Sequence, residues 1–241
     1  MAYTPAMQQY LDVKEQYKDC ILFFRMGDFY EMFFDDAVTA SRDMDVVLTR
    51  KSCGEGEYAP MCGVPYHAVE SYVSKLIEKG HKVAIAEQME DPALAKGIVK
   101  REVIRVVTPG TVIEPGILKD SDNNFLVCVY GENGAAGLAW TDISTGEFAA
   151  MQLNERDSSD QLFAQLSKID PKEIITNLDD EAFPELWRQA RVLDKTYISV
   201  PHAELFGDRS CRSCLREHFH TASEKSAGLA EEDVPLLFHA V

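Results

Sequence analysis

The densest chemistry in this 241-residue chain lies at residues 23–34, Phe-Phe-Arg-Met-Gly-Asp-Phe-Tyr-Glu-Met-Phe-Phe, where six of twelve side chains are Phe or Tyr. Gly27-Asp28 divides the run. In an extended strand after it, Phe29, Glu31 and Phe33 point one way, and Tyr30, Met32 and Phe34 the other. A carboxylate between two aromatics on one face is unusual for a core. Aromatic stripes are still packing more often than sites, so residue type alone favours a core strand with Glu31 at its exposed end. A second cluster is Cys211-Arg-Ser-Cys214 with His218 and His220, four potential zinc ligands within ten residues. On a helix, however, Cys211, Leu215 and Phe219 share a face while the two histidines diverge. Small buried thiols are therefore the stronger reading, and no metal is assigned. Cys53 and Cys62 flank residues 54–60 without a partner motif. None of the 14 glycines precedes a lysine, so residues 1–241 hold no Gly-Lys-Ser/Thr loop to cradle phosphates. No catalytic residue and no cofactor is assigned to them.

Composition sets the frame that must position these residues. Apolar residues make up 46% of the chain and charged residues 27%, enough for a real core and too little charge for wholesale disorder. No apolar run is long enough to span a membrane, and the start resembles no secretory signal, so a cytoplasmic protein with free thiols is expected. The net charge of -16 argues against nucleic acid at first sight. Its distribution matters more. Residues 1–110 hold 13 Lys and Arg against 17 Asp and Glu, whereas residues 111–241 hold 11 against 23. A DNA contact belongs in the first part.

Thr4 and Pro5 open a helix carrying Met7, Tyr10, Leu11 and Tyr17 at helical spacing. Strands are predicted at 21–26 and 29–34, a helix from Asp35-Asp36 to about Met44, a strand at 46–49, and a loop at 50–57. An extended segment at 58–64, a helix from Val69 stopping at Gly80, and strands at 82–87 and 101–107 follow. Turn residues at 108–111 and 115–116 coincide with the charge shift, which places a linker at 111–122 between domains 1–110 and 123–241. The second domain begins with three strands, 125–130, 137–142 and 147–153. Asn133-Gly134 marks the first hairpin. Helices at 157–168, 181–189 and 208–220 then alternate with strands at 173–176 and 192–199. The expected fold is thus two α/β domains, a mixed-sheet domain followed by a ribonuclease-H-like one. The apolar end, 235–241, lacks a stop signal, so the chain is expected to be part of a longer protein.

A ribonuclease-H-like fold raises a two-metal nuclease, which needs several convergent carboxylates. The first strand, 125–130, supplies none. Asp142 and Glu147 stand at the ends of the next two, and no third is placed to join them, so the fold does not by itself imply cleavage.

Gly27-Asp28-Phe29-Tyr30-Glu31 resembles the mismatch-recognition segment of bacterial MutS proteins. In the same order, residues 4–10 (TPAMQQY), 62–68 (CGVPYHA), 87–92 (EQMEDP) and 105–111 (RVVTPGT) resemble that family, and residues 141–146 (TDISTG) resemble the start of its connector domain. The resemblance runs nearly end to end, strongest to residue 111. It implies a mismatch-recognition domain and a connector, with mispaired or unpaired bases in duplex DNA as the target. It further implies that Phe29 enters the minor groove and stacks on the mispaired base. Glu31 contacts that base, as an acceptor or, if protonated, as a donor, while its charge penalises intact duplex. Such a wedge must partly unstack a step, and a mismatched step deforms more cheaply. Backbone contacts are expected from Lys51 and Arg101, which align with basic residues of the family, and from Arg50 and Lys96 beside them. The resemblance also implies MutL as a partner of the connector, a homodimer in the full-length protein, ATP and magnesium in regions beyond residue 241, and a nucleoid-associated location.

Overall fold

The computed structural model describes residues 3–54, 56–90, 97–113, 123–153, 158–192, 196–221 and 236–241. The chain divides into two compact units, the first running to Pro109 and the second taking up Gly110–Ile113 and the described residues from 123 onward. Lys96 and most of the expected linker lie outside the described residues.

In the first unit, α1 (Pro5–Gln16) begins where the Thr4 hydroxyl accepts from the Met7 N–H at 3.3 Å and Pro5 needs no N–H partner. Strands β1 (Cys20–Met26) and β2 (Phe29–Phe33) form an antiparallel hairpin, and α2 (Phe34–Met44) follows directly. Next come β3 (Thr49–Gly54), β4 (Glu57–Pro65), α3 (Val69–Ile77), β5 (Lys82–Gln88) and β6 (Arg101–Val107). Together they build a six-stranded mixed sheet in the order β3-β4-β2-β1-β5-β6, with β1 parallel to β5 and every other pair antiparallel.

Alternation along β2 sorts residues 29–33 as the sequence predicts, but Phe34, expected beside Tyr30 and Met32 in the strand, instead opens α2 and packs near Tyr10. Phe33 joins Met7, Tyr10, Leu22 and Phe24 in one core layer, while Tyr30 and Met32 face the opposite side. One element departs from expectation. The predicted strand at 46–49 and loop at 50–57 are replaced by β3, which pairs with β4 from Thr49↔Met61 to Gly54↔Glu57 with a register shift between Ser52 and Gly54. An edge strand is exposed on one side, so its ladder bonds hold it without the apolar alternation that marks an inner strand. This difference moves Lys51 from a loop onto the sheet.

In the second unit, β7 (Phe125–Glu132), β8 (Ala135–Asp142) and β9 (Glu147–Leu153) form an antiparallel meander. After α4 (Ser158–Ile169), β10 (Glu173–Thr176) joins β7 in parallel, and after α5 (Pro184–Val192), β11 (Tyr197–Ser199) joins β10 in parallel. The resulting order, β11-β10-β7-β8-β9, is the ribonuclease-H-like arrangement. Here Val192, the first residue of the expected strand at 192–199, ends α5 instead, and β11 occupies Tyr197–Ser199 of that span, residues 193–195 lying outside the described ones. Leu162, Leu166, Ile174 and Leu186 pack with Val127, Val129 and Leu138 in its core. α6 (Asp208–Phe219) packs Leu215 against the short α7 (Leu237–Ala240), which lies on β8 and adds Leu237 and Phe238. The backbone at Leu236 comes so near Gly137 that any β-carbon there would clash with it, which accounts for a glycine in the middle of a strand. No helix among the described residues is long and apolar enough to cross a membrane.

Candidate nucleic-acid interface

The β1–β2 connection is a two-residue turn, with Met26 paired to Phe29 across it. Gly27 takes φ 60°, and nothing lies within 4 Å of where its β-carbon would be, so the left-handed backbone rather than crowding calls for glycine. Three hydrogen bonds fix the turn. Arg101 Nε donates to the Arg25 carbonyl at 2.5 Å, Arg25 Nε to the Gly27 carbonyl at 2.5 Å, and the Tyr66 N–H to the Asp28 carbonyl at 3.0 Å. Beneath it, on the face opposite Phe29, the Arg25 guanidinium stacks 3.8 Å from the Tyr66 ring centre and pairs with Glu87, which also accepts from the Tyr30 hydroxyl at 2.7 Å. Burial and that bond to Glu87 push the Tyr30 phenol up to about 12.

Phe29 stands at the end of this braced hairpin and is 47% exposed. The other rings of the run at positions 23, 24, 30 and 33 are buried. A rigid aromatic side chain left in solvent on a fixed tip can stack on another flat ring at little cost in conformational entropy. Gly27→Ala is expected to lower stability by about 1 kcal/mol, because an alanine must adopt the left-handed conformation, and to displace the tip. Thermal melting together with the amide exchange of residues 25–30 would check this, and unchanged exchange would count against a strained turn.

Glu31 lies on the Phe29 face. Lys51 Nζ reaches diagonally across β4 to donate to both of its carboxylate oxygens, at 2.8 and 2.5 Å. The two side chains are 37% and 13% exposed for Lys51 and Glu31 respectively. Arg50, its neighbour, is exposed, with its guanidinium 5.8 Å from the Tyr58 ring centre. Arg101 is not on the surface that its expected phosphate contact requires. It is 9% exposed, its guanidinium donates to Arg25, Gln9 and Val99, and it lies 5.1 Å from the Phe24 ring centre. Burial pulls its pKa down against the opposing charges of Glu31 and Glu87. Its place is as a brace under the turn. A basic residue at a strand start carries no sequence signal of which way it faces, and that is why the two roles could not be told apart.

The remaining candidate chemistry sits in the second unit. The Asp142 carboxylate accepts from Asn124 N–H at 3.0 Å, Ser144 N–H at 2.9 Å and the Ser144 hydroxyl at 2.6 Å. Burial pushes its pKa up, but these hydrogen bonds outweigh it and the net shift is downward. The carboxylate organises the turn between β8 and β9. Cys211 is half-buried against the Leu205 carbonyl, whereas Cys214, His218 and His220 are exposed along α6 and its C-terminal cap. Among the described residues, no three His, Cys, Asp or Glu side chains gather as a metal site.

Comparison with known proteins supplies the identity. The family model for MutS domain I matches residues 4–115, and that for MutS domain II matches residues 124–240. The chain is 48% identical over 231 residues to the DNA mismatch repair protein MutS of Ruminiclostridium cellulolyticum, covering 96% of this chain and 26% of that protein. It is 51% identical over 216 residues to the protein of that name from Clostridioides difficile, covering 90% and 22%. For the one from Acetivibrio thermocellus the figures are 56% over 174 residues, covering 72% and 20%. The chain therefore spans about a quarter or less of the curated relatives it matches. With both family models matching in order along nearly all of it, the chain belongs to the MutS family, of which it carries domains I and II.

Proposed function

We propose that residues 1–110 recognise mispaired or unpaired bases in duplex DNA, with Phe29 inserted from the minor groove and Glu31 contacting the wedged base. The observation that carries this reading is the exposed Phe29 ring on a hairpin tip braced from both faces, with a carboxylate on its own face. Insertion unstacks one base step and kinks the duplex, at a cost of a few kcal/mol. A mismatched step has already lost part of its pairing and stacking, so the same wedge enters it more cheaply. No base-sequence code is needed. Glu31 sharpens the choice, because a carboxylate near phosphates disfavours every duplex and recovers that loss only where a base offers it a donor.

Residues 123–241 act as a connector, whose acidic balance suits a protein partner, MutL, better than DNA. In the longer protein, ATP and magnesium act through regions outside residues 1–241, and a homodimer encloses the duplex. The protein works in the cytoplasm at the nucleoid. The isolated chain, without that enclosure, binds weakly. Its affinity for mismatched and matched duplex, measured by fluorescence anisotropy at two salt concentrations, tests the reading. Glu31→Gln is expected to reduce the mismatched-to-matched ratio by about tenfold, the scale of one charge-assisted hydrogen bond. An unchanged ratio would remove Glu31 from the reader.

A further inference from the structure

Lys51 and Glu31 are 20 residues apart and sit on strands separated by β4, yet one ammonium donates to both oxygens of the carboxylate. We propose that Lys51 is a positioning residue for Glu31, setting the aim of that carboxylate beside Phe29, rather than an independent cation for the duplex backbone. The inference rests on the reading of Phe29 and Glu31 as the mismatch reader.

Burial points the same way. Of the two partners the carboxylate is the more enclosed, at 13% exposure against 37%. Removing the partner of an enclosed charge costs more than the pair is worth, because the charge left behind has lost its water. Arg101 is a second cation whose charge reaches Glu31, but its guanidinium donates to Arg25, Gln9 and Val99. The aim of the Glu31 carboxylate therefore falls to Lys51. Register reinforces it: Gly63 stands opposite Glu31 on β4 and puts no side chain beside the carboxylate, where a β-carbon would touch Glu31 Cγ at 3.6 Å. The stoichiometry leaves room for a base. An ammonium has three donors and a carboxylate about four acceptor positions, so a bond to each oxygen leaves acceptor capacity free. The ammonium offsets part of the carboxylate's charge, so Glu31 still disfavours a duplex that offers it no donor, and the pair retains an acceptor for a base edge. An unpaired Glu31 would meet them as a free negative charge.

A double-mutant cycle in the full-length protein separates positioning from direct phosphate binding. Lys51→Met, Glu31→Gln and the double variant are each titrated with mismatched and matched duplex at two salt concentrations, and each is melted to verify folding. Lys51→Met is expected to weaken mismatch binding by about tenfold when Glu31 is present and by less than about twofold when residue 31 is Gln, a coupling within the range for contacting residues. Lys51→Arg, which keeps the charge and the donors, is expected to retain the parent's mismatched-to-matched ratio and supplies a second reading should Lys51→Met fail to fold. The inference is overturned if Lys51→Met weakens both duplexes by one factor in both backgrounds and lowers the salt slope by about one, which is how a phosphate ligand behaves. It is equally overturned if Lys51→Arg folds and loses the ratio. Phe29→Ala run alongside keeps the two failures apart. If it too leaves mismatch preference intact, the reader assignment falls; if it abolishes the preference while Lys51→Met acts uniformly, the Lys51 inference alone falls.

Discussion

Phe29→Ala is expected to bring mismatched duplex down to the affinity of matched duplex while leaving the fold intact. The size follows from what the ring does. Stacking of a base on an aromatic side chain contributes about 1–3 kcal/mol, roughly ten- to a hundredfold in affinity. An alanine can neither fill the opened step nor offer a face to the base. The loss should fall on mismatched duplex, because the ring has little to stack on in a duplex that has not opened. Phe29 is 47% exposed, so truncation removes little buried area, and the melting temperature should shift by no more than about 2 °C. Affinity and melting measured on the same preparation distinguish a lost wedge from a lost domain. A Phe29→Ala protein that binds a mismatch as tightly as the parent would end the assignment, whatever Glu31 does.

Much of the positioning of Phe29 is legible in the sequence. Gly27-Asp28 marks the turn, and the period of two beyond it puts Phe29, Glu31 and Phe33 on one face, as found. What the run does not reveal is which of its aromatics remain in solvent. That depends on α1, which covers Phe33 and Phe24 through Met7 and Tyr10 but leaves Phe29 beyond the end of the packed layer. The Lys51–Glu31 pair is hidden for a related reason. Its partners are joined by sheet order, and β3 carries no alternation to announce it as a strand. Arg101 shows the reverse case. Its strand is plain from the β-branched run, yet its inward direction is set by the carbonyl of Arg25 and by Gln9 of α1, both remote in sequence. In the second unit the meander and its two parallel additions follow from turn residues and apolar periods. Asp142 was legible only as a strand-end carboxylate; that its oxygens are taken up by backbone N–H groups and Ser144 emerges only from the folded turn.

Asp36→Asn is expected to destabilise the first unit by about 2–4 kcal/mol, the largest loss of stability foreseen for a single polar substitution here. The carboxylate is buried where three elements meet. It accepts from the Leu22 N–H of β1 at 3.0 Å, from the Tyr10 hydroxyl of α1 at 3.2 Å and from Lys14 Nζ of α1 at 2.8 Å. Burial, and next the charge of Asp36, drive the Tyr10 phenol well above its ordinary range, so that hydroxyl stays a donor. An asparagine keeps one acceptor oxygen, loses the charge that answers Lys14, and turns an N–H₂ toward groups that donate. The chain also bears strain to place this residue. Phe34 adopts φ 54° as β2 gives way to α2, a conformation that costs a bulky residue about 1–2 kcal/mol. The Asp36 bonds offset that cost, and without them the reversal from strand to helix has less to hold it. A fall in melting temperature of roughly 10–20 °C should follow for a domain of this size. Lys14→Met should cost less, since that ammonium is about a quarter exposed and lies outside the core. Because α1 and the β1–β2 hairpin are tied together at this point, mismatch binding should weaken in proportion to the population unfolded, and binding below the melting transition should recover. Melting within about 2 °C of the parent would mean that the three hydrogen bonds do not bear on stability as their geometry implies.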